Sequence, residues 1–256
     1  MSANPLQIAL DLACEAGALL LERLEHPREI AEKGRRADIV TDADRASEAL
    51  IVARLRSEYP NASILGEEGG AYRGTSGDRW IVDPLDGTTN FAHGYPAFSV
   101  SIAYERDGEL VAGVVFAPVY RECFAAERGA GARLGERRIA VSTIDRAADA
   151  LLCTGFKPSD YERNAAQFRA ASGRAQGVRR DGSAALDLAY VACGRFDGFW
   201  EFDLAPWDVA AGTLLVREAG GRVSQVDGSP ARLDSPSILA TNARIHEEVS
   251  AVLVEG

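Results

Sequence analysis

Histidine, cysteine and methionine are scarce in this chain of 256 residues, at three, four and one copies. His26, His93 and His246 are far apart and fit no metal-binding helix motif. Cys14, Cys123, Cys153 and Cys193 have no paired zinc spacing. Scattered thiols of this kind read as small buried hydrophobes in a reducing compartment. No uncharged stretch is long enough to cross a bilayer. The N-terminus has no basic leader and carries its first charge at Asp11, so the expectation is a soluble cytoplasmic protein without a membrane partner. Positive charge is also short: 28 Lys and Arg face 38 Asp and Glu, a formal net charge of -10. Such a surface repels phosphate backbones and argues against a nucleic-acid partner, while leaving room for a small phosphate ester held by local charge or metals. With 46% hydrophobic and 26% charged residues, disorder is excluded and a buried core is expected.

An apolar stripe through Leu6, Leu10, Ala13, Gly17, Leu20 and Leu24 predicts an opening helix. Lys33 to Thr41 reads as a loop with a short extended segment. A second helix starts at Asp42 or Asp44 and runs to about Tyr59, stopped by Pro60. Residues 70–79 read as a polar surface loop and Trp80-Ile81-Val82 as a buried strand. From Phe98 the period becomes two, predicting strands at Phe98–Glu105, Leu110–Ala117 and Glu122–Ala126. Further strands are expected at Leu151–Phe156, Arg195–Trp200, Arg222–Val226 and Ser237–Thr241. Helices are expected at Tyr161–Ala171, Ser183–Cys193 and Ala205–Ala219, with a last one ending at Val254. The pattern is mixed α and β with antiparallel hairpins, not a regular βαβ series.

The chemistry lies in the acids. Trp80-Ile81-Val82-Asp83-Pro84-Leu85-Asp86-Gly87-Thr88-Thr89-Asn90 is an apolar strand that ends abruptly in two carboxylates. Asp83, Asp86 and the Leu85 carbonyl can converge as oxygen ligands for a hard cation such as Mg²⁺. A helix beginning at Gly87 or Thr88 would aim unpaired amides at a phosphate beside it. The same segment can also be a plain turn with solvated acids. Glu67 and Glu68 after the strand at Ser63–Leu65, Asp208 inside a helix start and Asp44 at another tip the balance. Several loops offering acids is the pattern of segments meeting around cations.

In order and spacing, the chain resembles the inositol monophosphatase family of Mg²⁺-dependent, lithium-sensitive phosphatases. The segments that carry the resemblance are Asp38-Ile39-Val40-Thr41 with Asp44, Gly66-Glu67-Glu68, Trp80 to Asn90, Gly182-Ser183-Ala184-Ala185, Trp207-Asp208-Val209-Ala210-Ala211-Gly212 and Glu218-Ala219-Gly220-Gly221. It implies an α+β fold, a layered αβαβα sandwich, as a single catalytic unit. A part up to about residue 140 would carry most metal ligands, and the part from about 141 to 256 would carry Asp208 and the substrate contacts.

The resemblance further implies roles. Glu67, Asp83 and the Leu85 carbonyl would hold one metal, and Asp83, Asp86 and Asp208 a second, with Glu67 and waters at a weaker third. The cofactor would thus be two or three Mg²⁺ ions, with Mn²⁺ able to substitute. Asp44 and Thr88 would deprotonate the attacking water, and the Gly87 and Thr88 amides would bind phosphate. Lys33 would lie near the site. Gly182, Ser183, Ala184 and Glu201 would face the alcohol part, with Arg179 close by. The implied reaction is hydrolysis of myo-inositol 1-phosphate or another small phosphorylated polyol by a homodimer. The alternatives are a histidinol-phosphate or broader sugar-phosphate phosphatase, or a regulatory partner of the RNA-synthesis machinery. Asp181 and Asp203 depart from the family pattern beside the alcohol pocket, which leaves the identity of the polyol open.

Overall fold

The protein is described by a computed structural model covering residues 4–25, 30–32, 39–69, 71–156 and 161–255. The predicted opening helix is α1 (Pro5–Leu24), capped by the Asn4 side chain, which accepts from the Leu6 amide at 2.9 Å. A short antiparallel pair, β1 (Ile30–Glu32) and β2 (Ile39–Thr41), leads into α2 (Asp42–Glu58). Thr41 is the N-cap of α2, and Asp44 closes a capping box by accepting from the Thr41 amide at 2.8 Å.

The larger sheet follows. Its strands are β3 (Ser63–Gly66), β4 (Ala71–Tyr72), β5 (Asp78–Asp86), β6 (Ser99–Arg106), β7 (Glu109–Ala117), β8 (Glu122–Glu127), β9 (Gly131–Leu134) and β10 (Arg137–Arg138), with α3 (Thr88–Ala92) between β5 and β6. Their order is β10-β9-β8-β7-β6-β5-β3-β4; β3 and β5 run parallel and the other pairs antiparallel. The second sheet and its helices comprise β11 (Leu151–Thr154), α4 (Tyr161–Ser172), β12 (Gly177–Arg179), α5 (Ala184–Ala192), β13 (Gly198–Phe202), α6 (Pro206–Glu218), β14 (Arg222–Ser224), β15 (Ser237–Thr241) and α7 (His246–Glu255). This sheet has the order β12-β11-β13-β15-β14.

Three apolar clusters define the layers, and the period of two in the strands assigns them. Trp80, Val82, Val100, Ile102, Tyr104 and Val114 point to one face of the large sheet and pack on α1 and α2 through Leu12, Leu20, Ile51 and Leu55. The offset residues Ile81, Ala103, Val115 and Phe124 point to the other face. There they meet α5 and α6, which pack in turn on Cys153, Phe199 and Ala240 of the small sheet. The far face of the small sheet, with Leu152, Trp200 and Leu239, is covered by α7 and Ala171 of α4. The result is an α+β sandwich with layers in the order αβαβα.

Several expectations shift. The strand expected at Arg195–Trp200 occupies Gly198–Phe202 instead. The amides of Arg195 and Phe196 both bond to the Tyr190 carbonyl, so these residues finish the turn after α5. Glu201 therefore lies inside the strand rather than after it. The loop expected at 70–79 contains β4 and the start of β5. The hairpin β9–β10, absent from the sequence reading, extends the sheet beyond β8.

Candidate active site

In a regular strand, residues 83 and 86 would face opposite sides of the sheet, because side chains alternate. Here they do not. Asp83 pairs with Ser101 and Asp86 with Ser99, so three steps on β5 oppose two on β6. This one-residue bulge contains Pro84, whose lack of an N–H the irregular position tolerates. It sends Asp83 and Asp86 to the face that carries Ser99, Ser101 and Ala103. Leu85 turns to the opposite face and is fully buried against the α1–α2 layer. Gly87 then takes a left-handed φ of 94° and starts α3, whose first bond runs from the Phe91 amide to the Gly87 carbonyl.

Asp83 and Asp86 thus point into the central helical layer, where both helices arrive by their N-termini. At α5, Ser183 Oγ donates to Asp86 Oδ2 at 2.5 Å, the Ala185 amide donates at 2.8 Å and the Ala184 amide at 3.2 Å. The N-terminus of α5 is therefore turned on Asp86, a favourable pole for a carboxylate. Ser183 and Ala184, expected as substrate contacts, both donate to this acid. At α6, Asp208 accepts from the Ala205 amide at 2.8 Å, closing the first turn. Ser101 Oγ donates to the Trp207 carbonyl at 3.3 Å and ties that turn to β6.

The charge state of this cluster follows from burial and crowding. Asp83 is 1% exposed, and its pKa is raised well above the usual carboxylate range by desolvation and then by the charges of Glu67, Asp86 and Asp208. Burial pushes Asp86 up to about 6 despite the hydrogen bonds from Ser183 and Ala185. Among the described residues, no cationic side chain is among the groups that chiefly shift either acid. Crowded, dehydrated oxygen donors of one sign are what divalent hard cations relieve, so the donor chemistry fits Mg²⁺ or Mn²⁺. Among the described residues, no three acids already stand around one point at coordination distance. The charges of Glu67, Asp86 and Asp208 act on Asp83, and that of Glu67 on Asp86, which places these acids in one neighbourhood.

Thr88 and Asp44 meet beside this cluster. Thr88 Oγ1 lies 2.9 Å from Asp44 Oδ1 and 3.2 Å from the Leu85 carbonyl. Its single proton goes to the closer, charged acceptor. Asp44 is fully buried, and desolvation raises its pKa against the opposing bonds from Thr41 and Thr88. Asn90 bridges the two parts of the chain, donating from Nδ2 to the carbonyls of Ala97 at 2.6 Å and Asp181 at 2.7 Å. Gly182, with a φ of 85°, passes against Asn90.

Glu201 is 8% exposed and faces α5 from β13. Gly155 leaves it room: a Cβ there would overlap the Glu201 carboxylate. Arg179 is exposed at the end of β12, while Arg180 donates to the Phe156 carbonyl at 2.6 Å and covers the Phe156 ring. Lys33 lies outside the described residues. Asp203, exposed with a φ of 53°, is a turn residue. Asp181 is partly buried and its pKa is raised.

Sequence reasoning missed Asp187. It is 1% exposed on α5, and neither oxygen makes a hydrogen bond of normal geometry. The Cys153 thiol stands against it, and burial with the charges of Asp181, Glu201 and Asp86 drives its pKa well up. It is the fourth residue of α5, a position where an acid is ordinarily a solvated partner of the helix N-terminus.

Residues 3–255 match the inositol monophosphatase family. The chain belongs to that family. It is 48% identical over 221 residues to an inositol-1-monophosphatase of Rhizobium meliloti (strain 1021), covering 85% of this chain and 83% of that one. It is also 48% identical over 248 residues to a Pseudomonas aeruginosa protein named Nus factor SuhB, covering 93% and 92%. Among solved structures, the inositol monophosphatase from Anabaena (Nostoc) sp. PCC 7120 superposes with a TM-score of 0.88 at 43% identity, covering 98% of this chain and 95% of that one. Inositol monophosphatases are phosphoric monoester hydrolases, generally metal-dependent, that act on small phosphorylated substrates.

Proposed function

We propose that this inositol monophosphatase family member is a Mg²⁺-dependent phosphatase whose favoured substrate is myo-inositol 1-phosphate. The observation that carries this reading is the bulge in β5, which turns Asp83 and Asp86 to one face, in the same acidic neighbourhood as Glu67 and Asp208 and beside the Thr88–Asp44 pair. Glu67, Asp83 and the Leu85 carbonyl would hold one cation, and Asp83, Asp86 and Asp208 another. When bound, the cations supply Lewis acidity, lowering the pKa of the attacking water and neutralising charge on the phosphate and the leaving oxygen.

The protein supplies the rest. Thr88 Oγ1 gives its proton to Asp44 and so presents a lone pair to the attacking water, orienting it and accepting its proton. Burial, by keeping Asp44 more basic than an ordinary carboxylate, favours that transfer. The amides of Gly87 and Thr88, at the start of α3, would hold phosphate oxygens. Glu201 would accept hydrogen bonds from substrate hydroxyls on the leaving-group side, favouring a polyol over a simple ester. Most of the ligands come from the part carrying the larger sheet, and Asp208 and Glu201 from the rest.

The test is a substrate panel assayed in EDTA and in Mg²⁺: inositol 1-phosphate, histidinol phosphate, fructose 1,6-bisphosphate and a nucleoside 3′-phosphate. Inositol 1-phosphate should have the highest kcat/KM, with activity abolished by chelation and inhibited by Ca²⁺ and Li⁺. Activity that survives exhaustive chelation refutes the metal mechanism, and a better kcat/KM on histidinol phosphate reassigns the substrate.

The similarity to proteins named Nus factor SuhB supports a second reading, a role with the transcription machinery. The intact acid set favours retained catalysis beside it. Binding of the Asp83→Asn variant to purified transcription factors and RNA polymerase tests that role independently of chemistry. A homodimer is proposed with it. Tyr95 and Tyr120, 50% and 45% exposed, supply apolar surface for one, and light scattering of the purified protein decides it.

A further inference from the structure

Helix α2 buries an unusual stripe: Asp44, Ser47 and Glu48 in its first turns, then Ile51 and Leu55. Two acids four residues apart on one face repel each other, and burying them adds a desolvation cost. Each polar member of the stripe engages a segment that bears site residues. Asp44 accepts from Thr88, and Ser47 Oγ donates to the Pro84 carbonyl at 2.9 Å, inside the β5 bulge. Glu48, 5% exposed, accepts from the Glu68 amide at 2.7 Å through Oε2.

The contact with Glu48 is more than one hydrogen bond. The turn Gly66-Glu67-Glu68-Gly69 wraps around its carboxylate. A Cβ at Gly66 would come within 2.6 Å of Glu48 Oε2, and one at Gly69 would overlap Oε1. Neither glycine has a left-handed φ, so the side chain of Glu48, rather than backbone conformation, is what excludes larger residues there. The two glycines flank the acidic pair, so the carboxylate fixes the turn at both ends and through its middle amide. Glu67 lies in that turn, and its charge is felt by Asp83, Asp86 and Asp44.

We propose that Glu48 is a positioning residue for Glu67, holding the 66–69 turn so that the Glu67 carboxylate meets the cation shared with Asp83. This rests on the metal reading of Glu67 above. Glu48 touches neither substrate nor cation. Its effect is to present a ligand already in place, so that cation binding does not have to order the turn. Ser47 and Asp44 do the same for the 84–88 segment, and α2 is the frame that sets the distance between the two.

The test is Mn²⁺ affinity, measured on the full chain by calorimetry and by the free-Mn²⁺ electron paramagnetic resonance signal, without substrate. Glu48→Gln keeps the size but replaces one carboxylate oxygen by an NH₂ group, which cannot accept, and removes the charge. Affinity should fall roughly ten- to a hundred-fold, the usual effect of removing a partner that orients a metal ligand. Gly69→Ala, which displaces the carboxylate without touching Glu48, should weaken binding in the same direction and serves if Glu48→Gln folds poorly. At saturating Mg²⁺, kcat should return to near the unsubstituted value while the Mg²⁺ concentration for half activity rises. In the Glu48→Gln/Glu67→Gln double variant, the loss should be no greater than for Glu67→Gln alone, because both act through one ligand. If Glu67→Gln weakens Mn²⁺ binding but Glu48→Gln and Gly69→Ala do not, the positioning role is overturned and the metal reading stands. Unchanged binding in Glu67→Gln overturns both. Additive losses in the double variant show that Glu48 does not work through Glu67.

Discussion

Replacing Asp83 by Asn should kill the enzyme and stabilise the cation-free protein. Asp83 is buried among Glu67, Asp86 and Asp208, and its single hydrogen bond to a backbone donor, from the Leu85 amide at 3.0 Å, can also be accepted by an Asn carbonyl. Asp86 sets the scale. Its pKa rises from 3.8 to about 6. A raised acid favours the native state fully below its unfolded pKa, and that advantage is lost as pH rises through the folded value. At neutral pH without cations, a shift of roughly two units therefore represents about 3 kcal/mol, at ~1.4 kcal/mol per unit. Asp86 has four donors that offset its burial and Asp83 has one, and the Asp83 pKa is raised well above the usual range, so removing its charge acts in the same direction. For a chain of this size, about 3 kcal/mol corresponds to roughly 6–12 °C in Tm. Differential scanning fluorimetry in EDTA at neutral pH should show Asp83→Asn melting higher than the unsubstituted protein. Added Mg²⁺ should raise the Tm of the parent protein and do much less for the variant. Turnover should fall by several orders of magnitude. A variant that melts lower in EDTA, gains the same Tm from Mg²⁺, or keeps a tenth of the activity would refute the shared-cation role of Asp83.

Glu201→Gln should raise KM for inositol 1-phosphate by roughly ten- to a hundred-fold, the loss of one charge-assisted hydrogen bond. Hydrolysis of p-nitrophenyl phosphate should change little, and an equal loss on both substrates would place Glu201 in support of the metal site. Gly113 lets α6 lie directly on β7, since a Cβ there would come within 3.0 Å of Ala211 Cα. Gly113→Val should cost about 1–3 kcal/mol by overpacking and weaken Mn²⁺ binding through Asp208, and an unchanged urea midpoint would contradict that close contact. His246 is fully buried between Ser224 Oγ at 2.8 Å and Thr241 Oγ1 at 2.9 Å, and burial lowers its pKa from 6.5 to about 4. Its stabilising effect is complete above pH 6.5 and is lost as pH falls to about 4, a change of about 3 kcal/mol. In His246→Gln, urea midpoints between those pH values should fall less steeply than in the parent, and parallel slopes would refute the assignment.

Much was legible in the residue order. The strand periods, the Pro60 stop after α2 and the helix starts before Asp44 and Asp208 follow from local rules, and local rules survive folding when the core agrees with them. The acids at those boundaries were visible for the same reason. Strand edges were less so: β13 begins late because α5 closes on Tyr190, a matter of which carbonyl is free after folding.

By itself the sequence determined most of the elements, the layered class implied by its family resemblance and the identity of the acids, because side-chain period, turn chemistry and residue type are properties of neighbours along the chain. Tertiary structure alone decided how those acids meet. The spacing of Asp83 and Asp86 would part them across a regular strand, and only the register of β5 against β6 brings them to one face. Only the arrival of α5 shows that Ser183 and Ala184 donate to Asp86, and that Asp187 is buried beside Glu201 rather than solvated. The burial of Glu48 also depends on the 66–69 turn closing over it. Each of these depends on pairing between segments distant along the chain, and no local propensity encodes such pairing.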